Sequence, residues 1–377
     1  MKFFITAIRI FTGVLFIFSG VVKAIDPKGL AFKMQEFFEA WSSSGLLPTL
    51  MKVLDTNALT FSIIMITLEV VLGVALLVGW QKKLTVWLLF LLMMFFTFLT
   101  SYVLFTGKIR ACGCFGDCIP LTPIQTFSKD ILLLLFATLL IIHVKYITPI
   151  AKTLFNFLYI FIATALVLFL QFYVLKNLPL VDCLPYKAGN NIVELSKMPA
   201  NAIQDKYEYK FVYQKNGKVQ EFSADAIPDS TWAFVDRKQT LIKKGSNNVP
   251  VINDFSLTTE GGIDSTDAIL NTRGQYYLLF IKDMIGYPSN WTGDYDFVMK
   301  ALNNNKKILI VTSQIEKVKA HFKASANMSS YYGRLIFLSC DATVMKTVAR
   351  VNPTLYLMDG PVVKQKWSWN NFEEVLK

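Results

Sequence analysis

Five apolar stretches, at about 4–24, 59–80, 84–106, 130–147 and 153–175, are the feature that most restricts what this chain can fold into. A bilayer core of ~30 Å takes ~20 apolar residues as a helix, and each stretch comes near that length, so the first part is expected to be a membrane α-helical bundle of five transmembrane helices. Charge follows the same division. Residues 1–176 carry 14 Lys and Arg with 7 Asp and Glu, whereas residues 177–377 carry 24 with 20. Only 17% of the residues are charged, below the quarter usual for a soluble chain, and the deficit lies in the first half. Disorder, collagen and a purely soluble enzyme are excluded on that ground. The basic residues stand singly at the ends of apolar runs and form no run of five, which suits membrane lipid and not nucleic acid.

Lys2 and the sequence Val22-Lys23-Ala24 give the first stretch the outline of a secretory signal, but Arg9 interrupts it, and it is expected to remain as the first span. Five crossings put the termini on opposite sides. With the N-terminus cytoplasmic, Lys2, Arg9, Gln81-Lys82-Lys83 and His143 to Lys152 are inside and carry no acid, while the outer segments mix Lys and Arg with Asp and Glu. Cys112, Cys114, Cys118, Cys183 and Cys340 then all lie on the outer side and none in the reducing compartment. In a bacterium this places the chain in the inner membrane with its C-terminal part in the periplasm.

After Lys176, Asn177-Leu178-Pro179 ends the fifth helix and begins a linker. Tyr207 to Tyr213 alternates aromatic and polar residues, Asn216-Gly217 is a turn pair, and Lys218 to Phe222 returns as a second strand. From about Ile252 the periodicity predicts strands at Gln275–Ile281, Lys307–Thr312, Arg334–Ser339, Pro353–Met358 and up to Trp367. Helices are expected at Asp294–Leu302, Ser313–Phe322, Ala342–Arg350 and about Asn370–Leu376. This α/β order resembles the thioredoxin fold, with Val351-Asn352-Pro353-Thr354 similar to that family's proline-bearing strand. The resemblance implies a cis bond before Pro353 and a redox pair after the first strand. The corresponding stretch, Asp283 to Trp291, has no cysteine, so dithiol chemistry is not expected there and a binding role for partner proteins is.

The line that carries the most chemistry is Thr106 to Pro123, TGKIRACGCFGDCIPLTP, between the third and fourth spans. Its three cysteines fall in the pattern Cys-x-Cys-x-x-x-Cys, and Gly113 and Gly116 let so short a segment fold back on itself. Cys114 with Cys118, or Cys112 with Cys118, can reach disulfide separation if the loop bends, and Cys112 with Cys114 only in a small strained ring. Three readings stay open: a structural disulfide, redox exchange, and a metal site, the last lacking a fourth ligand.

With Arg9-Ile10-Phe11-Thr12-Gly13 and Phe18-Ser19-Gly20 in the first helix, this motif makes the first 150 residues resemble the DoxX-like four-helix membrane proteins. The Cys-Gly-Cys-Phe-Gly loop resembles their MauE branch. That resemblance, and the similar layout of the vitamin K epoxide reductases, imply electron relay from thiols of periplasmic proteins toward a quinone. No metal is implied. The quinone-coupled reductases have a second cysteine pair in another outer loop, whereas Ile25 to Leu59 contains none; Cys183 is a candidate partner but has no second thiol beside it.

Glu69 lies deep in the second span, where an ionisable group is costly unless paired or functional. An ion pair with Arg9 or Lys23 and a part in quinone or proton handling are the alternatives. Gly13 and Gly20 are expected where helices approach closely. Cys340 is expected to be a buried apolar residue, and Trp291, Trp367 and Trp369 either core or partner surface.

The expected organisation is a four-helix membrane portion at 1–150, a fifth span at 151–176, a linker and hairpin at 177–250, and a thioredoxin-like portion at 251–377. Two functions follow: thiol–disulfide exchange through Cys112, Cys114 and Cys118 with periplasmic or envelope proteins, or a non-catalytic anchored subunit of a larger envelope or export complex.

Overall fold

The computed structural model describes residues 1–109, 113–243, 245–288 and 291–375. The helices α1 (Lys2–Ala24), α2 (Pro27–Ser43), α3 (Pro48–Thr56), α4 (Ala58–Val78) and α5 (Lys82–Thr106) come first. A short strand β1 (Cys114–Asp117) leads to α6 (Pro123–Ile142) and α7 (Thr153–Lys176). Of these, α1, α4, α5, α6 and α7 are long and apolar enough to cross a membrane. The protein is a membrane protein. Exposed Phe3, Phe11, Phe18, Leu154, Phe161 and Phe169 on the outside of the helices meet lipid.

Local chemistry sets the helix ends. Thr122 and Gln125 form a reciprocal capping box, with Pro123 at the first helical position, so α6 starts at residue 123. The span expected at 130–147 is therefore corrected to 123–142, its start moving toward the N-terminus by about two turns. Gly79 (φ +73°) and Gly107 (φ +62°) end α4 and α5 in the left-handed conformation. The stretch from Ile25 to Leu59, read as a loop, is mostly helical, because Leu30, Ala31, Met34, Phe37, Phe38 and Trp41 recur at helical spacing and bury one face of α2.

The spans α1 and α4 pack most closely, α5 packs on α6, and α7 lies against α4. Glycines permit the first contact: a Cβ on Gly73 would lie 2.8 Å from the Gly13 carbonyl oxygen and 2.8 Å from Ile17 Cγ1, and one on Gly20 would lie 2.5 Å from Val70. The close approach expected at Gly13 and Gly20 is present.

Beyond α7 come the short helix α8 (Ile192–Leu195) and an antiparallel sheet of β2 (Lys206–Lys215), β3 (Lys218–Ser223) and β4 (Ala233–Lys243), in the order β3-β2-β4. The expected hairpin is thus extended by a third strand. Its alternation is broken where the register shifts between Val212 and Tyr213, leaving Val235 without an opposite residue.

The short helix α9 (Thr266–Leu270) precedes an alternating run: β5 (Gln275–Ile281), α10 (Gly293–Asn303), β6 (Ile308–Thr312), α11 (Ile315–Ala324), β7 (Ile336–Ser339) and α12 (Ala342–Val348). The chain closes with β8 (Thr354–Asp359), β9 (Val362–Ser368) and α13 (Phe372–Val375). Sheet order is β7-β6-β5-β8-β9, with β5, β6 and β7 parallel and β8 and β9 antiparallel to their neighbours. Side chains alternate along β5, so Tyr276, Leu278 and Phe280 enter one core with Met345 and Val348, while Leu279 and Ile281 enter another with Phe297 and Phe322. The Asn352–Pro353 bond is cis, as expected above.

Candidate functional site

Two buried polar clusters stand at opposite ends of the spans. At one, Arg9 donates to three backbone carbonyls, those of Leu76 (2.8 Å), Leu77 (2.6 Å) and Thr148 (2.9 Å). The first two belong to the last turn of α4, where a cation is favoured; the Leu76 carbonyl also accepts from the Gly79 amide at 3.3 Å. Arg9 is therefore not the partner of Glu69. Lys23 is: its ammonium lies 2.6 and 2.9 Å from the Glu69 carboxylate oxygens, with both side chains 4% exposed. Lys23 also sits 4.7 Å from the centre of the Phe96 ring.

Near this pair the chain enters the cysteine loop. Gly113 (φ +72°) and Gly116 (φ +59°) turn it, and the Cys114 carbonyl accepts from Ser19 Oγ at 3.0 Å, fixing β1 to α1. Cys114 Sγ donates to Asp130 Oδ2 at 3.8 Å, and Asp130 is also 2.6 Å from Lys129 Nζ. Asp130 is fully buried in α6, a partner for the loop that sequence reasoning did not identify; a carboxylate eight residues into an apolar helix was the available signal. Cys112 lies outside the described residues.

Cys118 is bonded to Cys183, with a Cα separation of 4.9 Å. The pairings of Cys118 considered within the loop are corrected accordingly. The segment leaving α7 returns to the loop and brings a sulfur 65 residues away in sequence to Cys118. Both cysteines are half-buried. They line a cleft with Asp26, Lys33 and Val181, whose free space of about 20 Å³ holds one water molecule. A quinone ring does not fit there. Cys183 also borders a larger groove of about 660 Å³, walled by Phe32 and Lys33 of α2 and by Thr343, Lys346 and Arg350.

The groove exists because the C-terminal region docks on α2 and the loop. Arg350, 8% exposed, donates through Nε to Asp26 (2.8 Å), through Nη2 to Asp117 (2.7 Å) and through Nη1 to the Lys346 carbonyl (2.8 Å). Phe32 lies under three cations, Lys282, Lys346 and Arg350, at 5.7, 5.4 and 5.3 Å from its ring centre. Lys366 donates to Asp182 at 2.6 Å.

Half-buried Lys28 faces this contact, and burial, then Lys282, push its ammonium down to about 8 from the usual 10.5. The unfolded chain then holds more protons than the folded one between pH 8 and 10.5, so this group's contribution to stability rises with pH across that window. Lys28→Met should raise the unfolding temperature of the detergent-solubilised protein at pH 7, and the advantage should fade as the pH approaches 10.5. A constant difference across the series would refute this.

Cys340 is 4% exposed in the sheet core, and burial, then Asp341, push its thiol up to about 12, which makes it a poor nucleophile. It is the buried apolar residue expected. The thiol-free stretch after β5 is tied by Asn352, which accepts from the Lys282 amide at 2.8 Å and donates to the Asp283 carbonyl at 2.6 Å. Within that stretch Ser289 and Asn290 lie outside the described residues. Trp291 packs on Trp369 and Phe372, and Trp367 lies against the same core, so all three tryptophans make packing contacts. Among the described residues, no three His, Cys, Asp or Glu side chains converge on a metal position.

Residues 1–169 match the family described as Methylamine utilisation protein MauE, and residues 207–244 match a domain of unknown function (DUF8463). The second match coincides with the sheet of β2, β3 and β4. Protein TlpB of Flavobacterium psychrophilum is 30% identical over 179 residues, covering 45% of this chain and 45% of that protein. The chain thus aligns with less than half of that relative's length.

Proposed function

We propose that this is an inner-membrane thiol–disulfide exchange protein whose Cys118–Cys183 disulfide oxidises dithiols of envelope proteins on the periplasmic side. The position of that disulfide carries the reading: it is half-buried, at the end of the bundle, beside a groove of about 660 Å³. A client thiolate attacks one sulfur, forming a mixed disulfide and releasing the other cysteine as a thiolate; the client's second thiolate then attacks the client sulfur of that mixed disulfide and expels the protein's remaining cysteine as a thiolate. The client gains a disulfide, and Cys118 and Cys183 take up the two electrons and two protons. Cys112 and Cys114, on the same loop, belong to the same exchange site. The MauE match over residues 1–169 supports the assignment, as does the placement of the cysteine loop, the end of α7 and the C-terminal region at one end of the spans. The strand order and the cis bond before Pro353 support reading residues 251–377 as a thioredoxin-like docking module, its thiols replaced by a binding face. The N-terminus is then cytoplasmic.

The test mixes purified oxidised protein with a reduced two-cysteine peptide. The expected result is one peptide disulfide formed for each Cys118–Cys183 bond opened, with Cys340→Ser unaffected and Cys118→Ser with Cys183→Ser inactive. A peptide that stays reduced beside folded wild-type protein would overturn the proposal.

One observation favours a second reading, in which the disulfide staples a non-catalytic anchored subunit: the segments it joins are also clamped by Arg350 and Lys366. Chain entropy for a loop of 65 residues gives a staple about 4 kcal/mol, but α6 and α7 make up most of that loop and remain helical in the bilayer, which reduces the gain. The peptide assay separates the two.

A further inference from the structure

Both bonded cysteines follow an aspartate: Asp117-Cys118 and Asp182-Cys183. A carboxylate beside a thiol disfavours its thiolate, so two such neighbours would slow exchange at both sulfurs. The fold answers each with one cation from the C-terminal region. Arg350 reaches Asp117 at 2.7 Å, and Lys366 reaches Asp182 at 2.6 Å; the two cations are 8% and 5% exposed. The carboxylates are more open, Asp117 at 40% and Asp182 at 22%, so salt screens the first pair more than the second. The pairs are also positional. Asp182 Oδ1 accepts from the Leu184 amide at 3.1 Å while Oδ2 takes Lys366, which fixes the backbone on both sides of Cys183. Arg350 spans Asp26 and Asp117 and thereby sets the loop against α2.

We infer that Arg350 and Lys366 are positioning residues for sulfur exchange, each offsetting the charge beside one cysteine and so acting more strongly on that cysteine than on its bonded neighbour. The inference rests on the exchange reading above for its purpose. Its physical content is testable without any client.

The other charged groups near the sulfurs are few. From α2 they are Asp26, already on Arg350, Lys33, paired with Glu36 at 2.8 Å, and Glu39. From α12 there is Lys346, which donates to Gln35 at 3.3 Å. None of these contacts Asp182, although Arg350 and Asp26 also act on Lys366 through space, so each cysteine has its own nearest counter-charge within one coupled set.

The test reduces the full-length protein in lipid nanodiscs and follows alkylation of Cys118 and Cys183 by iodoacetamide against pH, resolving the two sites by mass spectrometry. Arg350→Gln should move the Cys118 profile to higher pH by about one unit, roughly a tenfold slower reaction at pH 7, and the Cys183 profile by clearly less. Lys366→Gln should do the reverse. Asp117→Asn, which removes the carboxylate while leaving Arg350 on Asp26, should move Cys118 to lower pH, and Arg350→Lys should recover part of the Arg350→Gln shift. A purely structural role would loosen both sites together, so equal shifts at both cysteines, or none, overturn the inference. If the peptide assay fails while these site-specific shifts appear, the exchange reading falls and the electrostatic assignment stands. The opposite pattern removes only the assignment.

Discussion

Glu69→Ala should destabilise the protein by about 3–5 kcal/mol, enough to lose most folded material, because it leaves Lys23 charged, 3% exposed and without its counter-ion inside the spans. The cost comes from the stranded ammonium and not from the attraction lost, since an ion pair in a low-dielectric interior nearly balances its own desolvation. The paired change Lys23→Met with Glu69→Leu should therefore recover most of the loss, being apolar and close in volume. Unfolding in detergent, followed by the temperature at which half the protein aggregates, gives the comparison. A double variant as unstable as Glu69→Ala would show that the pair does more than neutralise itself, and would point to the proton-handling alternative.

Gly73→Leu should prevent tight association of α1 with α4. The added Cβ alone meets backbone at 2.8 Å, the Gly13 carbonyl, which no change of rotamer relieves. The helices must separate, and the loss should be about 3 kcal/mol, at the upper end of what overpacking usually costs. Gly116→Ala, in the cysteine loop, is the informative contrast. Among the described residues its Cβ has no neighbour closer than 3.8 Å, so the positive φ of 59° is what opposes it, and the cost should be about 1 kcal/mol. Equal losses at both positions would mean that close helix approach is not what Gly73 provides.

The spans were legible because a bilayer leaves the chain so few choices, and the strands of the second sheet because β5, β6 and β8 are apolar runs bounded by turn residues. The errors have specific causes. The start of α6 was missed although Thr122-Pro123-Ile124-Gln125 carries its capping signal, because hydropathy weighed more heavily than capping near Lys129 and Asp130. The helix α2 was missed because its polar face interrupts hydropathy, although its apolar residues recur every three or four positions. The Cys118–Cys183 bond was only partly legible: Cys183 stood out as a candidate partner, but local spacing favours cysteines in one loop and nothing in a sequence reports where a chain returns after two intervening helices. The choice between Arg9 and Lys23 for Glu69 was likewise a matter of depth along α1. One turn of helix advances only 5.4 Å, so 14 positions place the two cations at opposite ends of the span.

That separation gives the bundle a stiff end and a loose end. Arg9 fastens the final turn of α4 and the connection before α7 through three carbonyls at once, leaving little freedom where those segments meet. At the far end, Gly113 and Gly116 soften the cysteine loop, and a sulfur bridge with two ion pairs restrains it. Opening that bridge would free motion at the mouth alone, as a clothes-peg opens at its jaws while its spring stays put.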